Sequence, residues 1–274
     1  MNLYISDLDG TLLNSNALIS NNSKILLNKA IKNGINFTIA TARTPATVID
    51  ILKDINITLP IITMNGSAIY NIKDNRYFYY LTIEQALVHK LQNIIAKENL
   101  SAFIYSIMDN HLFVYHKKLT HPHQIKFYEE RKNTIYKTFL EKSLPIDLKV
   151  LYFTIMDYED KINSLYYKIK DIPGLSIVKY RDTYNKEIVN LEIYHESASK
   201  ANAINYLKNY FHFDKLITFG DNLNDIPMFK ISDECYAVIN AVDELKEIST
   251  SVIKSNLDDS VAKFLNNINK NLNI

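Results

Sequence analysis

Two carboxylates one residue apart follow an apolar run at the start of the chain. Tyr4, Ile5 and Ser6 lead into Asp7-Leu8-Asp9-Gly10-Thr11, after which Leu12 and Leu13 restore the apolar character. Two more acidic groups, Asp221 and Asp225, stand in FGDNLND near the other end. Carboxylates gathered in one cleft repel unless a cation lies among them. An all-oxygen set suits a hard ion, and Mg²⁺ is the usual one where a site also handles phosphate; zinc would want histidine or cysteine. The only close pair of histidines, His121 and His123, reads as surface or packing, and the single cysteine, Cys235 in ECYAVIN, reads as a small buried hydrophobe. Positive charge comes from Lys200, in the first turn of a helix that Ser197 or Ser199 can cap. A cation there opposes the helix dipole by a few tenths to about 1 kcal/mol, so its placement against local preference hints at a ligand.

The elements that must position these groups follow a regular plan. LYIS, FTIA, Ile61-Ile62, KLITFGD and CYAVIN are short apolar runs that read as strands. Between them lie helical patterns. One runs from Ser23 to Asn33 and stops at Gly34; another starts where Thr44 precedes Pro45, a capping residue before a favoured first-turn proline. Alternation of this kind predicts βαβ units and a parallel sheet. At the strand ends stand Asp7, Thr41, Asn65-Gly66, Asp221 and Asn240. Ligands of open parallel sheets bind beyond the carboxyl ends of the strands, where strand order reverses, so residues far apart in sequence can build one site. Of only five glycines, Gly10, Gly66 and Gly220 occupy these strand-end loops, where close backbone approach or positive φ is needed.

The character changes between about 81 and 190. IEQALVHKLQNIIAKEN reads as a helix, AFIYSI and HLFVYH as a hairpin turning at Met108, Asp109 and Asn110, and VLYFTIM, LSIVKY and EIVNLEI as further strands beside a helix near Lys161 to Lys170. The earlier pattern then resumes with SASKANAINYLKNYF as a helix. The expected domains are a core of 1–80 and 191–274 interrupted by an inserted α+β domain at 81–190. Phe103, Tyr105, Phe113 and Tyr115 alternate as strand residues do and read as core.

Composition narrows the function. With 274 residues, 47% of them hydrophobic, the chain can bury a full core. A formal charge of +1 provides no broad positive field for nucleic acid. No run of about 18 apolar residues suggests a membrane span, and a lone cysteine fits a reducing compartment; the expectation is a cytoplasmic protein acting on neither nucleic acid nor membrane.

Taken together, DLDGTLL, TIATAR, TMNGSAIY, the Ser-Lys pair at Lys200, GDNLND and VINAVDELKE resemble, in order, the haloacid dehalogenase-like hydrolases, specifically the Cof-type phosphatases with a large inserted cap. The resemblance implies an α/β fold: a Rossmann-like parallel-sheet core in three αβα layers with an inserted α+β cap domain that closes during the reaction. It implies a small phosphorylated metabolite as substrate, Asp7 as nucleophile and Asp9 as general acid and base. Residues two apart in an extended stretch point the same way, so both carboxylates would face one phosphoryl group. Mg²⁺ would sit between Asp7, the backbone carbonyl of Asp9 and Asp221, with Asp225 close behind. The Thr41 hydroxyl, the Leu8 and Ala42 backbone, Lys200 and Asn224 would hold the phosphoryl oxygens. Ala42 replaces a frequent glycine but keeps its amide, and Arg43 is left without a role. A phosphosugar mutase or a non-catalytic regulator that binds phosphorylated metabolites are the alternatives.

Overall fold

The computed structural model describes residues 1–182 and 185–272, with side chains of the last helix described through Ile268. Along the chain run β1 (Asn2–Ser6), α1 (Asn21–Lys32), β2 (Asn36–Ile39), α2 (Pro45–Leu52), β3 (Ile61–Thr63), β4 (Ala68–Asn71) and β5 (Arg76–Tyr80). Then follow α3 (Gln85–Lys97), β6 (Ala102–Met108), β7 (His111–His116), α4 (Pro122–Glu129), β8 (Lys137–Glu141), β9 (Val150–Tyr158), α5 (Glu159–Ile169), β10 (Leu175–Arg181) and β11 (Ile188–His195). The chain ends with α6 (Lys200–Tyr210), β12 (Lys215–Gly220), α7 (Ile226–Lys230), β13 (Glu234–Val238), α8 (Asp243–Glu247), β14 (Ser251–Ile253) and α9 (Ser260–Leu272). Two compact units result, one from 1–79 with 199–274 and one from 80–198.

In the first unit five parallel strands lie in the order β14-β13-β12-β1-β2, and a parallel bridge between Ala40 and Ile62 leads on toward β3. The early strands lie on one side of β1, while β12, β13 and β14 lie on the other. The strand order therefore reverses between β1 and β12. Both faces of the sheet are buried, which is why its strands read as continuous apolar runs. Tyr4, Phe37 and Phe219 pack with Leu27 of α1, Val48 of α2 and Leu265 of α9. Leu3, Ile5 and Leu216 pack on the other side with Ile204 and Leu207 of α6 and Met228 of α7. This is a three-layer αβα arrangement. Thr44 stands at the N-cap of α2, but its hydroxyl makes no capping hydrogen bond.

The second unit carries a six-stranded sheet, β10-β11-β9-β6-β7-β8, antiparallel except for β7 beside β8. Its hairpin turns on Asp109 and Asn110, with φ of 48° and 64°, the paired left-handed residues of a two-residue turn that preserves strand twist. Ile155, Leu191 and Ile193 form an apolar core with Val88 and Leu91 of α3 and Ile162 and Leu165 of α5. Phe103, Tyr105 and Tyr115 are buried, and Phe113 is half-buried against the same core. A boundary at 190 falls inside β11. That strand pairs with β9 and β10 up to His195 and so keeps the second unit intact through Ala198.

Candidate active site

Asp7 begins the loop after β1, and its amide donates to the Phe219 carbonyl of β12 at 2.9 Å. Asp221 follows β12 directly. The reversal of strand order thus brings together residues from the two ends of the chain. One carboxylate oxygen each from Asp7, Asp221 and Asp225 lies within 4.8 Å of the others. The loop after Asp7 winds tightly, with the amides of Thr11, Leu12 and Leu13 all donating to the Leu8 carbonyl at 3.3, 3.0 and 2.8 Å. That turn carries Thr11 across to donate from its hydroxyl to Asp221 Oδ1 at 2.8 Å.

Lys200 stands between two of the acids. Its Nζ donates to Asp7 Oδ1 and to Asp225 Oδ1, each at 2.6 Å, and only 2% of the residue is exposed. The helix that delivers it is capped by Ser199, whose hydroxyl oxygen accepts from the Asn202 amide at 3.1 Å. A tight backbone contact fixes that helix start. A Cβ on Gly66 would come to 2.1 Å from the Ser199 carbonyl oxygen. Glycine also tolerates the φ of +90° there, which ends a left-handed run through Met64 and Asn65 at 52° each. Gly10 and Gly220 are under the same pressure, since a Cβ on them would stand 2.2 Å from Asp221 Oδ2 and 2.7 Å from Asp225 Oδ2. All three strand-end glycines therefore make room for the charged cluster or its supports.

The electrostatics follow from burial. It pushes the Asp7 carboxyl well above the ordinary range; the Lys200 charge pulls it back, and the charges of Asp225 and Asp221 add to the rise. Asp221 is pushed up to about 6 by burial first and by the Asp225 charge second, against the Thr11 hydrogen bond. For Lys200 burial lowers the value, but Asp225 and Asp7 together carry it above the usual ammonium range. Three carboxylates share one ammonium here. Fully ionised, the cluster holds an uncompensated double negative charge that a divalent cation would neutralise.

The donors also fit such an ion. Among the described residues, Asp7 Oδ2 and Asp221 Oδ2 take no hydrogen bond, while Oδ1 of each is held by Lys200 or Thr11. Asp225, expected close behind the ion, has both oxygens in use. Its Oδ1 receives Lys200, its Oδ2 receives the Asp221 and Asn222 amides at 3.0 and 3.1 Å, and it makes no cap on α7. With both oxygens engaged, Asp225 supports the cluster from behind.

The remaining sequence candidates divide. Thr41 is buried, and its hydroxyl oxygen accepts from the Arg43 amide at 3.2 Å. Leu8 is wholly buried at the turn. Ala42 and Asn224 are exposed on the loops after β2 and β12. Both carboxylate oxygens of Asp9 are taken by a residue that had no assigned role: Arg43 grips it with Nε to Oδ2 at 2.7 Å and Nη2 to Oδ1 at 2.5 Å. The Arg43 position, two residues past the polar end of β2, was the available signal.

Residues 4–265 match the sequence family described as haloacid dehalogenase-like hydrolase. A putative phosphatase of Buchnera aphidicola is 27% identical over 97% of both chains. A protein of Bacillus subtilis named as a 5-amino-6-(5-phospho-D-ribitylamino)uracil phosphatase is 28% identical over 96% of both. Among solved structures, a haloacid dehalogenase-like hydrolase from Bacteroides thetaiotaomicron superposes with a TM-score of 0.81 at 22% identity, covering 97% of this chain and 99% of its own, a likeness of fold.

Proposed function

This chain belongs to the haloacid dehalogenase-like hydrolases, and from that membership and the acidic cluster we propose a Mg²⁺-dependent phosphatase of small phosphorylated metabolites. The observation that carries the reading is the pairing at the β1 and β12 ends: Asp7 and Asp221 each keep one oxygen uncommitted, within a cluster whose carboxylate oxygens lie within 4.8 Å. Asp7, Asp221 and the Asp9 carbonyl would hold the ion, with Asp225 behind them. Bound there, Mg²⁺ would offset the charge that otherwise keeps an anionic phosphoryl group from an anionic nucleophile.

The Asp7 carboxylate attacks phosphorus, the bond from phosphorus to the leaving oxygen breaks, and Asp9, protonated and released from Arg43, gives that oxygen a proton. The product is an aspartyl-phosphate on Asp7. Asp9 then takes a proton from water as the water attacks phosphorus, freeing phosphate and restoring the Asp7 carboxylate. Lys200 fixes the Asp7 Oδ1 end and places a buried positive charge beside the transferring group. Thr41, with the Leu8 and Ala42 amides and Asn224, completes the phosphoryl-binding set.

An Asp7→Asn variant tests the reading: it should fold as the parent does and lose turnover of p-nitrophenyl phosphate with Mg²⁺. Retained turnover would remove Asp7 as nucleophile. A panel of phosphorylated sugars, sugar alcohols and nucleotides, assayed by phosphate release, would identify the substrate class. It should include 5-amino-6-(5-phospho-D-ribitylamino)uracil because a relative bears that name.

A further inference from the structure

Two asparagines outside the acidic cluster hold the loop that supports it. Asn240, after β13, donates from Nδ2 to the Gly10 carbonyl at 2.8 Å and accepts at Oδ1 from the Asn256 amide at 3.2 Å. Asn256, ahead of α9, donates from its own Nδ2 to the Leu13 carbonyl at 2.7 Å. Both ends of the segment from Gly10 to Leu13 are therefore tied by side-chain amides. The amides of Thr11, Leu12 and Leu13 are already used on Leu8; the asparagines take the two end carbonyls of the same segment. Between those ends lies Thr11, which holds Asp221 Oδ1, and a Cβ on Gly10 would stand 2.2 Å from Asp221 Oδ2. Two residues beyond Asn240, the Val242 amide donates to the Asp221 carbonyl at 2.9 Å. One short stretch after β13 thus grips both the loop and the acid that the loop orients.

We propose that Asn240 and Asn256 are positioning residues for the cation: they hold the segment from Gly10 to Leu13 so that Thr11 aims the free oxygen of Asp221 toward that of Asp7. The inference rests on Asp7 and Asp221 being the ligands of the ion. Neither asparagine has a hydrogen bond to a carboxylate of the cluster, so each acts through the loop. Outer partners that orient metal ligands typically change metal affinity by about 10–100-fold.

The test is calorimetric titration of the metal-free protein with Mg²⁺ for wild type, Asn240→Ala, Asn240→Asp and Asn256→Ala, with urea unfolding of the metal-free forms alongside. Asn240→Asp is the diagnostic variant. It keeps the oxygen that Asn256 uses, replaces the donor facing the Gly10 carbonyl with an acceptor, and adds a negative charge that by attraction alone would tighten cation binding. Each variant is expected to weaken Mg²⁺ binding by about tenfold or more, the Asp variant as much as the Ala variant, with kcat recovering at saturating Mg²⁺. Unchanged affinity, or tighter binding in Asn240→Asp, overturns the proposal whatever happens to the unfolding midpoint. If Asn240→Ala fails to fold, the near-isosteric Asp variant and Asn256→Ala decide the matter. A wild type that binds no Mg²⁺ removes the ligand assignment itself, an outcome separate from equal binding by parent and variants.

Discussion

Asp9 and Arg43 form a two-point pair whose side chains are 54% and 26% exposed. An exposed pair of this kind is worth about 0–1 kcal/mol in stability, so it opens at little cost, and its value lies in placement: a planar fork holds the Asp9 carboxylate in one position until, in the proposed reaction, it is released to protonate the leaving group. Arg43→Ala should leave the melting temperature nearly unchanged while lowering kcat for p-nitrophenyl phosphate by about tenfold or more, within the range of general acid-base contributions. Arg43→Lys should recover only part, because an ammonium is a single point and cannot fork; full activity in the Ala variant would deny Arg43 this role. Lys200 is the opposite case. It is buried between two acids, and removing one partner of a buried pair costs about 3–5 kcal/mol. Lys200→Met should therefore lower both the urea midpoint of the metal-free protein and its activity. The acids and Lys200 were legible because their types and spacing are unusual in themselves. The grip of Arg43 on Asp9 was not, since the two sit on different loops and only the fold brings them together.

At the scale of elements, the strands that carry polar ends were readable because they are buried on both sides and so appear as unbroken apolar runs. Those missed were β4, β5, β8 and β14. β14 is three residues long, lies at the sheet edge and is largely exposed. β5 is half-buried after an exposed Arg76 and carries none of that contrast. Gly66 shows how an element is placed by its absent side chain. It lies where the start of α6 passes, and Gly66→Ala would force the Ser199 carbonyl away and demand a left-handed φ from alanine. The expected result is a loss of stability of about 1–3 kcal/mol, the usual cost of such backbone strain, with activity falling because Lys200 moves with its helix. Equal stability and activity would show that the helix start is free to shift.

For the whole molecule, burial of Asp221 couples stability to acidity. Its folded value of about 6 lies above the ordinary carboxylate value, so the folded metal-free chain binds this proton more tightly than the unfolded chain does. The metal-free protein should gain stability as pH falls through about 6 toward 4, and lose that gain as pH rises through 6. Mg²⁺ requires the ionised form, so the rise in melting temperature that it produces should shrink as pH falls through about 6. Melts in chelator and in Mg²⁺ between pH 5 and 8 would check both trends; a metal-induced rise that grew on acidification would contradict them. The split of the first unit into 1–79 and 199–274 has one more consequence. Lys200 lies 193 residues beyond Asp7, and Asp221 lies 210 beyond Thr11. During synthesis on the ribosome Asp7 emerges long before Lys200 and Asp221, and β1 waits for β12 to become an inner strand. The acidic centre is then completed only after β12 and the loop beyond it have been made, and a polypeptide stopped before Asp221 would carry Asp7 without the acids that complete the cluster, Asp225, the second partner of the Lys200 ammonium, among them.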